Sequence, residues 1–81
     1  MNMERAALKG KLAMAREKKI RLRSKFEALS RTIRQGLNTS LTDIEDIEIP
    51  QLSEMWSDLE VCWAELLGIR SDIERLEKEL D

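Results

Sequence analysis

Two heptad ladders run through this chain, and they fit one another. From Leu8 the apolar positions step by four and three: Leu8, Leu12, Ala15, Lys19, Leu22, Phe26, Leu29, Ile33, with Lys19 the one break. A second ladder runs Leu52, Met55, Leu59, Cys62, Leu66, Ile69, Ile73, Leu76, Leu80 with no break at all. A sustained 3.5-residue period marks a coiled-coil seam rather than a general amphipathic face. Folding the two seams antiparallel can be tested by arithmetic, because facing residues then have nearly constant summed numbers. Ile33 with Leu52, Leu29 with Met55, Phe26 with Leu59, Leu22 with Cys62, Lys19 with Leu66, Ala15 with Ile69, Leu12 with Ile73 and Leu8 with Leu76 give 84 or 85 in every layer. The expectation is an all-α fold, an antiparallel two-helix coiled-coil hairpin. One domain covers 1–81, with a helix over about 3–36, a loop over about 37–49 and a helix over about 50–80.

The ends of these elements carry their own signals. Pro50 suits the first turn of the second helix, where a missing N–H costs nothing. Gly36 followed by Asn38 reads as the stop of the first, with Gly36 expected in the left-handed cap conformation. Gly10 weakens the first helix, whereas Gly68 is expected to mark a close packing point. Thr42-Asp43-Ile44-Glu45 fits a capping box and could start one helical turn; the alternation through Ile49 could equally be extended. Either way, Leu41, Ile44, Ile47 and Ile49 are expected to cap the hairpin's end.

The charge is split between the halves. Residues 1–41 carry eleven Lys/Arg against three Glu, a net +8; residues 42–81 carry three against thirteen Asp/Glu, a net −10. The simplest reading is that each helix answers the other's charge. Asp58, Glu60 and Glu65 lack cations on their own helix and are expected near Lys18, Lys19, Arg23 and Lys25. The rival reading is a nucleic-acid-binding accessory protein using Arg16, Lys18, Arg21, Arg23 and Lys25, which are dense enough to neutralise phosphates. It is the less favoured, because no base-reading or aromatic pattern accompanies these cations.

Trp56 and Trp63 lie a heptad apart, one position outside the seam, and Leu67 and Ala64 extend that side. A two-helix hairpin covers only its seam, so this second stripe needs another surface. Large aromatics are common interface anchors, and two-fold dimers are the commonest oligomers. A chain of 81 residues also buries only ~60–65% of its extended surface. The expectation is a homodimer, two hairpins forming a four-helix bundle, with Trp56, Trp63 and Leu67 at the partner interface. Leu22, Phe26, Leu59 and Leu66 would form the core of each hairpin.

Nothing in the chain calls for catalysis. There is no histidine, no nucleophile elbow and no Gly-rich phosphate loop. Lys19 reads as a polar seam residue that fixes register, its stem over Leu66. Cys62, the only cysteine, reads as a buried inert thiol and points to a reducing, cytoplasmic setting. The acidic loop lacks calcium-loop spacing. No cofactor and no metal is expected, no apolar stretch spans a membrane, and a protein partner is the favoured class. The reading is a non-catalytic interaction or adaptor module that self-associates through its second helix.

The stretch Ser30-Arg31-Thr32-Ile33-Arg34-Gln35-Gly36-Leu37-Asn38-Thr39-Ser40-Leu41-Thr42, followed by Glu45-Asp46-Ile47, resembles small uncharacterised helical proteins of Mu-like prophages. These carry an Ile-Arg-x-x-Leu-Asn-x-x-Leu linker between two long helices, and the likeness extends over most of the chain. It implies a bacterial cytoplasm and a role during phage replication or transposition. It transfers no functional residues.

Overall fold

A computed structural model describes residues 2–81. Helix α1 spans Asn2–Gly36 and helix α2 spans Ile49–Leu80, joined by a loop that holds a single 3-10 turn at Ile44–Asp46. The helices pack antiparallel along their length, and the molecule is a rod whose Cα extents are 64 × 16 × 15 Å. Its radius of gyration is 18.3 Å, against about 12 Å for a compact chain of this length. Two helices side by side are the whole thickness of the fold.

The core is the pair of seams. Leu12, Ala15, Leu22, Ile33, Leu59, Cys62, Ile69, Ile73 and Leu76 are buried, and Leu8, Phe26, Leu66 and Leu80 pack partly buried against them. The summed-number register holds where it can be checked most directly. Cys62 Sγ donates to the Leu22 carbonyl oxygen at 3.2 Å, inside the layer that pairs those two residues. Among the described residues only Cys62 is sealed, at 1% exposure, while the other buried residues keep 5–8%. A seam one side chain wide leaves every large residue open at its flank. For that reason Phe26 and Leu66, expected in the core, pack against it without being fully buried.

Several local expectations are corrected. Gly36 is not left-handed, since no described residue has a positive φ. α1 instead ends through hydrogen bonds from Leu37 N–H to the Ile33 oxygen and from Asn38 N–H to the Gln35 oxygen. Gly36 marks a close approach instead: a Cβ there would lie 2.6 Å from Leu52 Cδ2. Gly68, expected to be a packing point, has open space where its Cβ would be. The capping box does not form. The 3-10 turn starts from Asp43 with no side-chain cap bond, and the loop is ordered instead by Ser40 N–H donating to Asn38 Oδ1 at 2.9 Å. Of the four residues expected to cap the hairpin, Ile47 alone is partly covered. Leu41, Ile44 and Ile49 are exposed at 70%, 74% and 56%, because the tight loop closes over the seam's end without folding back across it. Pro50 does sit in the first turn of α2.

Candidate interaction surface

The hairpin has two flanks, and the side chains on each follow from the seam. Residues one place outside the α2 seam, at seven-residue intervals, are Trp56, Trp63, Arg70 and Glu77. Glu77 marks which flank this is: its Oε2 accepts from Arg16 Nη2 at 3.0 Å, so Arg16 and the tryptophan stripe share a side. Trp56 is 53% and Trp63 is 55% exposed. Their rings, with Phe26, Leu59, Glu60 and Ala64, line an open hollow of about 540 Å³. Phe26 contributes to it from α1, at the layer of Leu59. Glu60 is its one charged wall.

Of the three residues expected at a partner face, Trp56 and Trp63 line this hollow. Leu67 does not; it is half-buried one turn beyond Trp63. Phe26 belongs to the core by its place in the seam, and its place in the lining of the hollow is visible only once its neighbours are known. Ile20, 67% exposed, is a further apolar residue that neither ladder accounts for. It lies outside both seams between Lys19 and Arg21, and an apolar residue in that setting was the available signal.

The charges do not close on one another as expected. Among the described residues, Arg16–Glu77 is the one ion pair between the helices, and Asp72–Arg75 at 3.6 Å lies within α2. Asp58, Glu60 and Glu65 form no ion pair with Lys18, Lys19, Arg23 or Lys25. Lys19 is half-buried in its seam position. These are long side chains on an exposed rim, where fixing a pair geometry costs side-chain entropy comparable to the ~0–1 kcal/mol gained.

The five cations proposed for nucleic acid divide between the flanks. Arg16 and Arg23, a heptad apart, lie on the tryptophan side, and Arg16 is engaged by Glu77. Lys18 and Arg21 line a shallow groove on the opposite flank with Ala15, Ile69 and Asp72, and Lys25 continues that stripe. No single track holds all five. Among the described residues no three acidic or cysteine side chains cluster as metal ligands, and no helix is long and apolar enough to cross a membrane. Searched against known protein families, curated proteins and solved structures, the chain matches none.

Proposed function

We propose that this protein is a non-catalytic interaction module that self-associates through the tryptophan flank of α2, forming a four-helix bundle from two hairpins. The observation that carries the reading is the pair of half-exposed tryptophans, Trp56 and Trp63, which line an open hollow with Phe26. Burying such rings supplies ~1.5–3 kcal/mol or more for each large side chain, and their polar indole N–H can still reach a rim acceptor.

The surface area supports the same reading. The hairpin exposes 6579 Å², whereas a compact monomer of its mass exposes about 5,000 Å². The surplus of about 1,600 Å² is roughly twice what one partner contributes to a standard interface. A single-layer seam with one sealed residue is a thin core for an independent chain, and a second hairpin would double its depth. A reducing compartment suits the lone buried thiol of Cys62, and the origin in a Mu-like prophage rests on the linker resemblance alone. The rival, phosphate binding by α1, draws no support from cations split across two flanks.

The test is the double variant Trp56→Ala with Trp63→Ala, weighed by sedimentation equilibrium beside the unsubstituted protein. The expected outcome is a dimer that becomes a soluble, still helical monomer. A dimer of unchanged strength in the variant overturns the assignment of this face.

A further inference from the structure

One face of α2 has kept clear of the charge that marks the rest of that helix. It runs from the tryptophans round to Ala64 and Leu67, away from α1, and Ser57 and Ser71 continue it at seven-residue intervals from Ala64. Between residues 53 and 71 this face carries two charges of opposite sign, Glu60 and Arg70. Over the same length the other flank carries Glu54, Asp58 and Glu65, all acidic. Among the described residues neither Glu60 nor Arg70 has an ion-pair partner within the chain. The hollow between Trp56 and Trp63, with Glu60 as its charged wall, opens on this face.

Resting on the self-association proposed above, we infer that this face is covered by the same face of a second copy. The two α2 helices lie against each other antiparallel, about a two-fold axis across the rod, with the loops at opposite ends. Such a contact is isologous, so each facing pair occurs twice or sits on the axis. In the register inferred, the numbers of facing residues sum to 126–128. Leu67 of the second copy then faces Glu60 and enters the hollow. Arg70 of the second copy lies over Trp56, where the indole face attracts a guanidinium, and Glu60 is one turn away as its counter-charge. Ser57 faces Ser71 of the second copy, while Trp63 and Ala64 each meet their own mates at the axis. The small side chains at 57, 64 and 71 let the helices approach at about 8 Å, the close end of the usual range.

Length and charge select the same register. The axis passes between Trp63 and Ala64, beside the midpoint of α2, which spans Ile49–Leu80, so the two helices overlap over almost their whole length. A slip of one heptad in one direction puts Glu60 on its own mate, and in the other puts Glu60 on Glu74. A two-fold axis along the rod, with both loops at one end, sets every residue level with its mate, so that Glu60 meets Glu60 and Arg70 meets Arg70. All three alternatives oppose like charges, which interfaces select against. The basic helices stay out of the contact. It is centred on Glu60 and Leu67, each one residue, or about 100° of helix, beyond the seam residues Leu59 and Leu66. The four helices therefore run in the order α1, α2, α2, α1, and the two α1 helices are held apart.

Two experiments on the full chain test this. With Cys62→Ala and a spin label on Thr39→Cys at the loop, double electron–electron resonance should give an intermolecular distance of about 55 Å, from ~35 helical residues of separation at 1.5 Å each. Loops at one end would instead give a distance within about 30 Å, two or three helix spacings, and would overturn the arrangement while leaving self-association intact. Glu60→Arg should weaken the dimer about ten-fold or more, because it meets Arg70 of the other copy at both ends of the contact, and adding Arg70→Glu should restore it. If Glu60→Arg leaves the dimer unchanged, or Arg70→Glu fails to rescue it, the register is wrong. Both positions are exposed, so the hairpin itself should keep its helicity in either variant. A monomeric mass for the unsubstituted protein removes the proposed function and this arrangement together.

Discussion

The close approach expected at Gly68 lies at Gly36 instead, and the difference can be measured. In Gly36→Ala the new Cβ meets Leu52 Cδ2 at 2.6 Å, Cδ1 at 3.2 Å and Cγ at 3.4 Å. Ordinary contact begins near ~3.5 Å, so Leu52 must withdraw by about 1 Å. The atoms in the way are the end of the flexible Leu52 side chain rather than backbone, so a change of its rotamer takes up part of the clash. Overpacking of this kind costs ~1–3 kcal/mol, and the low end applies because Leu52 is only half-buried. Against it stands the helical gain of Ala over Gly, ~1 kcal/mol in a helix interior and less in this last turn. The net expectation is a loss of about 0.5–1 kcal/mol for Gly36→Ala. Gly68→Ala, with nothing within 4 Å of its Cβ, should gain about 0.8–1 kcal/mol. Urea melts at one fixed protein concentration read both, since the stability of a self-associating chain depends on concentration. The decisive step is the double-mutant cycle: in a Leu52→Ala background, Gly36→Ala should change sign and stabilise. If Gly36→Ala has the same effect with and without Leu52, close approach is not what that position needs a glycine for.

Two further outcomes follow from the seam. Lys19→Leu should raise stability by ~1–2 kcal/mol in the same melts, because it completes an otherwise apolar ladder opposite Leu66; a loss would mean that the ammonium group makes a contact the seam depends on. Cys62, 1% exposed and donating to Leu22, should react with a disulfide reagent only as fast as the hairpin opens. Labelling at the rate of a free thiol in the folded protein would contradict its burial.

The hairpin was legible because a seam is a one-dimensional object. Eight layers with a constant sum leave one antiparallel register, and the Cys62–Leu22 contact sits in it. What was not legible lies off that line. Whether Leu41, Ile44 and Ile49 fold back depends on the path of a loop whose bonds are local, such as Ser40 to Asn38, and alternation does not specify that path. Gly36 could have been read, since Leu52 faces Ile33 in the register and Gly36 is the next residue along that face, but the Gly-Leu-Asn ending suggested a cap. Trp56 and Trp63 were visible as surplus to the seam. Phe26 beside them was not, because seam membership says that a side chain points inward without saying how much of it a single neighbour can cover.

The charge split acquires its meaning from that same thinness. Among the described residues one ion pair joins the basic and the acidic helix, and most of their charges stand on the rim. Charges left on a rim are worth little to the stability of the chain that carries them, yet they act strongly on which surface a second chain can approach. A hairpin two helices thick gives each helix one neighbour and leaves a flank without one. In a bundle of four, α2 takes a second neighbour, and the separation of +8 from −10 then weighs against α1-on-α1 stacking. On the proposed self-association, the composition is better matched to choosing a partner helix than to holding a monomer together, with the tryptophan stripe as the surface where that choice would be made.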